Sequence, residues 1–98
     1  MIARLTIMHF DPTRLEEVVQ LWQREVIPAA REDEGFMGGY LLTNEGGHGL
    51  SITFWETEAA MKRTEETGKY HQVIGKFESF FRAKPSRMHY QVSLFYDH

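Results

Sequence analysis

The chain has 98 residues, 42% of them hydrophobic and 13% aromatic, which suits one domain spanning residues 1–98 and is too short for two. With 11 Lys+Arg against 14 Asp+Glu, the net charge is −3 and no basic block occurs, which excludes the phosphate-driven affinity of a nucleic-acid binder. There is no cysteine, hence no disulfide framework or thiolate metal site, and a cytoplasmic setting is expected; no targeting segment or membrane span is expected either.

From Ile2 to Phe10 the residues alternate, with Ala3, Leu5 and Ile7 on one side and Arg4, Thr6 and Met8 on the other, which predicts a strand. Asp11-Pro12 supplies a cap and a first-turn proline. Leu15, Val18, Val19, Trp22, Val26, Ala29 and Ala30 then recur at helical spacing, with a kink expected at Pro28 and an end before Gly35. Phe36 to Thr43 and Gly49 to Trp55 read as a hairpin around Asn44-Glu45-Gly46-Gly47-His48. Thr57 caps a second helix, bent near Gly68, whose later part aligns Tyr70, Val73, Ile74, Phe77, Phe80 and Phe81 before Pro85. A last strand runs from Met88 to Tyr96.

The order β-α-β-β-α-β predicts an α+β, ferredoxin-like antiparallel sheet with two helices on one face. Placing Leu5, Ile7, Tyr40, Leu42, Ile52, Phe54, Val92 and Leu94 under the helices leaves Met8, Met37, Leu41, Trp55 and Phe95 among polar residues on the bare side. That side is still too apolar for water, so a homodimer packed sheet to sheet is expected.

The stretch Glu34-Gly35-Phe36-Met37-Gly38-Gly39-Tyr40, then the hairpin and Thr53-Phe54-Trp55-Glu56-Thr57-Glu58-Ala59-Ala60, resembles the antibiotic biosynthesis monooxygenase domain family. The resemblance implies a dimeric α+β barrel with a cavity between helices and sheet in each protomer. It also implies cofactor-independent oxidation of a small aromatic molecule of phenol or quinol type, with neither cofactor nor metal. In that branch an asparagine and a tryptophan on the third strand hold the substrate; Trp55 matches the tryptophan, and Ser51 stands at the asparagine position. A haem-degrading branch carries an asparagine, a tryptophan and an axial histidine at positions that here are Thr6, Thr64 and Ile74.

His9 closes the first strand on the parity of Leu5 and Ile7, so it is expected at the mouth of a helix-side cavity, where an imidazole suits a general base. His71 falls at the border of the apolar stripe of the second helix and is the second candidate base. Tyr40, Trp55 and Phe77 are the expected walls of the substrate site. Trp22, Phe80 and Phe81 read as core, and no ligand spacing for a metal occurs. Two alternatives stand beside the enzyme: a non-catalytic ligand-binding or structural homodimer, and a haem-binding protein using His71.

Overall fold

Four strands, β1 (Ile2–His9), β2 (Phe36–Thr43), β3 (His48–Trp55) and β4 (Ser86–Gln91), pair antiparallel in the order β2-β3-β1-β4. The computed structural model describes residues 1–97; His98 lies outside them. This is the ferredoxin-like order that the sequence predicts, and the sheet does not close, so β2 and β4 form its edges.

The first helical run begins where the Asp11 side chain accepts the Thr13 N–H at 3.0 Å, opening a 3-10 turn at Pro12–Arg14. It continues as α1 (Leu15–Leu21), a π-helical turn (Trp22–Val26) and α2 (Ile27–Arg31), one continuous rod. Pro28 has no N–H for the carbonyl four residues back, and the Ile27 N–H reaches five residues back to Trp22 instead. The expected proline kink is thus taken up as a π-turn. The second run opens with the Ala60 N–H on Thr57 Oγ1 and forms α3 (Glu58–Glu66). Gly68, at φ +84°, ends it, and α4 (Lys69–Gly75) follows.

β4 begins earlier and ends sooner than its alternation suggests. Its partner is β1, whose residue Ile2 pairs with Gln91; past the Val92 N–H on the Met1 carbonyl no strand remains to pair with, and Leu94, Phe95 and Tyr96 stand exposed.

The two faces of the sheet are the reverse of the sequence expectation. Arg4, Thr6, Met8 and Trp55, placed above on the bare side, are buried under the helices together with Ser51 and Thr53. Leu5, Ile7, Tyr40, Leu42, Ile52 and Phe54, placed above under the helices, lie on the opposite face with Met88 and Tyr90, and Tyr40 is 61% exposed. The helices can cover a polar stripe because they bring partners to it. Among the described residues no buried side-chain nitrogen or oxygen lacks a hydrogen bond, which removes the cost of a few kcal/mol that each orphaned polar group carries. Apolar burial is concentrated at the two ends of this stripe: Met8, Phe10, Val18, Val26 and Phe77 at one, Ile2, Ala30, Trp55 and Met61 at the other.

The two segments that carry the family resemblance meet at one junction. The Gly35 carbonyl accepts the Glu56 N–H at 2.7 Å, and the Phe36 ring packs edge-on against Trp55 with centroids 5.3 Å apart. Gly35 sits at φ +90°, and a Cβ there would come within 2.8 Å of Ala60 Cβ, so glycine is required on both counts.

Candidate functional site

Between the two apolar clusters the helices and sheet enclose a cavity of about 40 Å³. Its floor is the polar stripe of the central strands: Arg4 and Thr6 from β1, facing Thr53 and Ser51 of β3 in register. Its roof is apolar, with Val26, Ala29 and Ala30 from the rod and Val73 and Ile74 from α4. Thr64, Trp55 and Tyr70 complete the walls, while Asp33 and Lys69 stand at the mouth, their side chains partly exposed and joined at 3.1 Å.

Each floor residue is fixed by a partner from the helices or from its own strand. Arg4 Nη1 donates to Thr64 Oγ1 at 2.7 Å and lies 3.4 Å from Glu65 Oε2. The Arg4 guanidinium stacks 4.1 Å from the Tyr70 ring centroid and 5.4 Å from that of Trp55. Burial pulls the Arg4 pKa below its ordinary value, opposed by Tyr70 and Glu65, and a guanidinium so placed stays charged. The hydroxyls of Thr6 and Tyr70 share a 2.5 Å hydrogen bond. Burial raises the Tyr70 pKa, so the phenol is neutral and one hydroxyl of this pair keeps a proton for an oxygen in the cavity. Trp22 donates Nε1–H to Ser51 Oγ at 3.0 Å, reaching the floor from the π-turn that Pro28 imposes, and Trp55 donates Nε1–H to Thr53 Oγ1 at 3.0 Å.

The residues expected to act as a group are dispersed. Trp55 lines the cavity and is almost wholly buried, because the face reversal turns it toward the helices without any bulge on β3. Phe77 is in the apolar cluster beside the cavity, not on its wall. Tyr40 lies on the open face, edge-on to Phe54. His9 is on that same open face, its ring stacked on His48 at 4.8 Å, and it does not line the cavity. His71 is exposed on the outer side of α4, edge-on to Tyr70 at 5.3 Å. The structure therefore does not bring His9 and His71 together. His89, the neighbour of Arg4 on β4, is held by Glu58 at 2.9 Å.

Arg4 and Tyr70 are not proposed as site residues from the sequence, and Thr6 and Thr64 enter there only as the positions where the haem-degrading branch has its asparagine and tryptophan. The available signal was the register of hydroxyls and one arginine on the two central strands, a stripe that water would not need to be so uniform. No group of three or more His, Asp or Glu able to hold a metal occurs among the described residues, and no described helix is long and apolar enough to cross a membrane.

Comparison with known structures shows the same fold in several proteins. A protein of Deinococcus radiodurans, provisionally named an antibiotic biosynthesis monooxygenase, superposes with a TM-score of 0.78 at 15% identity, over 100% of this chain and 98% of that one. A monooxygenase of Streptomyces coelicolor, solved with the ligand nanaomycin D, gives 0.78 at 16% identity over 98% and 92%. A Mycobacterium tuberculosis protein gives 0.70 at 12% over 92% of each chain. No curated protein matches the sequence. The family model for antibiotic biosynthesis monooxygenases matches residues 1–76, and the chain belongs to that family.

Proposed function

We propose that the cavity binds a small aromatic molecule of phenol or quinol type and that the protein oxidises it with O2 without a cofactor. The observation that supports this reading most is the cavity's division into an apolar roof and a hydroxyl-bearing floor, in a chain of this family. The Streptomyces coelicolor relative carries nanaomycin D, which supports a ligand of this kind.

In the proposed reaction the phenol loses its proton through the mouth, and the Thr6–Tyr70 pair donates its remaining O–H to the phenolate oxygen. The phenolate passes one electron to O2, and the two radicals join at the ring carbon para to the oxygen. The new O–O bond then breaks as that carbon loses its hydrogen, so that one phenol and one O2 give one quinone and one water; a hydroquinone, whose para carbon bears oxygen and no hydrogen, instead passes two electrons and two protons to O2 and gives one quinone and one hydrogen peroxide. The substrate is its own reductant, and the enzyme binds it, holds its charge and keeps bulk water away.

Trp55 serves as a wall of the site in this reading, with Phe77 in the apolar cluster at the other end of the stripe and Tyr40 on the far side of the sheet. Of the two candidate bases, His71 stands nearer, packed on the outside of Tyr70, and His9 provides the comparison from the opposite face. The proposed molecule is a cytoplasmic homodimer, its second copy covering the apolar face around Tyr40, Leu42 and Phe54.

Oxygen uptake with a panel of hydroquinones and para-unsubstituted phenols tests the reaction. Uptake above the buffer rate is expected, reduced roughly tenfold or more in Tyr70→Phe, the effect of losing one charge-stabilising donor. A drop in His71→Ala with His9→Ala unaffected assigns the base; no uptake above buffer with any compound removes the enzymatic claim. One observation favours the second reading, a non-catalytic binding dimer: a cavity of about 40 Å³ holds about three waters, so a ring must lie partly in the mouth.

A further inference from the structure

Arg4 is 6% exposed and lines the cavity. All of its protein acceptors, Thr64 Oγ1, the Met61 carbonyl and Glu65 Oε2, sit on Nη1. Among the described residues no protein acceptor stands on Nε or Nη2, and since no buried side-chain nitrogen there lacks a hydrogen bond, the guanidinium edge that forms a two-pronged fork is accessible from the cavity and not sealed in protein. Its plane is held by the rings of Tyr70 and Trp55. Charge is also unbalanced here, since Glu65 is shared: its Oε1 accepts from Arg87 Nε at 3.2 Å, leaving one carboxylate between two guanidinium groups. Lys69 adds nothing to this excess, being matched by Asp33.

We infer that the cavity takes its ligand as a carboxylate, both oxygens on the Nε–H and Nη2–H of Arg4. The ligand class is an aromatic carboxylic acid. The carboxylate occupies the room of about three waters, and the ring extends beneath Val26, Ala30, Val73 and Ile74 toward the mouth. This deepens the reading of the cavity as the ligand site and rests on it, but it does not need the oxidation.

The probes are benzoate and benzyl alcohol, alike in shape and different in charge at neutral pH. Calorimetric titration of the whole chain is expected to show benzoate binding, benzyl alcohol binding at least about tenfold more weakly, and Arg4→Lys losing about tenfold in benzoate affinity, since it keeps the charge and loses the fork. The Arg4 Nε–H signal, followed by nitrogen-15 NMR in the unaltered protein, is expected to move on saturation, a readout independent of whether the variant folds. Equal binding of the two probes, no binding of benzoate, or an Arg4 signal that stays in place at saturation overturns the inference. Oxygen uptake separates the two proposals. Benzoate binding at Arg4 without oxidation of any phenol keeps the carboxylate site and removes the enzyme, whereas oxidation that benzoate does not inhibit does the opposite.

Discussion

The hydroxyl pair of Thr6 and Tyr70 shows how a side chain with no charge can decide a site. Both residues are buried, and each is the partner in the other's 2.5 Å hydrogen bond. Thr6→Val keeps the shape and strips the partner from Tyr70, so a loss of about 1–3 kcal/mol is expected in urea denaturation, the cost of one unmet buried group. Adding Tyr70→Phe to that variant is expected to recover part of the loss, and purely additive effects of the two changes would show that the pair is not coupled. The raised pKa of Tyr70 carries a sign as well. The unfolded chain releases this proton near the ordinary value of 10.0 and the folded chain releases it later, so the folded state holds more protons above that value. Stability attributable to Tyr70 is therefore expected to be flat from about pH 7 to 9 and to fall as pH rises beyond about 10, a decline that Tyr70→Phe removes.

Element boundaries follow from a few residues whose backbone chemistry leaves little choice. Gly68 is one: with φ +84° it separates α3 from α4, and no atom lies within 4 Å of where a Cβ would stand. The space is open, so a side chain there is opposed by backbone conformation alone, and Gly68→Ala is expected to cost about 1–2 kcal/mol in chemical denaturation. An unchanged midpoint would mean that the helices can meet through another geometry. The same kind of residue made much of the chain legible from sequence: Asp11-Pro12, Thr57, Gly35 and Gly68 mark helix ends, and strict alternation marks β1. What alternation cannot give is which side of a strand the helices cover, because the pattern reads the same with the faces exchanged. Choosing the more apolar side as the helix side put Arg4 and Thr6 in the wrong layer, and the floor of the cavity went unseen with them. The end of β4 was illegible for a different reason, since it depends on where β1 runs out and not on residues 92–96 themselves.

At the scale of the molecule, one sheet has two demands on it. Its helix side is a polar seam between apolar clusters, and its other side is a broad apolar surface bearing Ile7, Tyr40, Leu42, Met88 and Tyr90. The face that looked like core in the sequence is the exposed one, and it is the face that the proposed dimer would cover. Light scattering after gel filtration is expected to give twice the chain mass for the native protein and the single-chain mass for Leu42→Glu, where an unpaired carboxylate would be buried on each side of the contact. The cavity itself is tested most directly by backbone amide shifts on titration with a hydroquinone. The largest shifts are expected at Thr6, Ser51, Thr53, Trp55 and Tyr70, and shifts centred instead on Tyr40, Leu42, Ile52 and Phe54 would contradict a ligand site between helices and sheet.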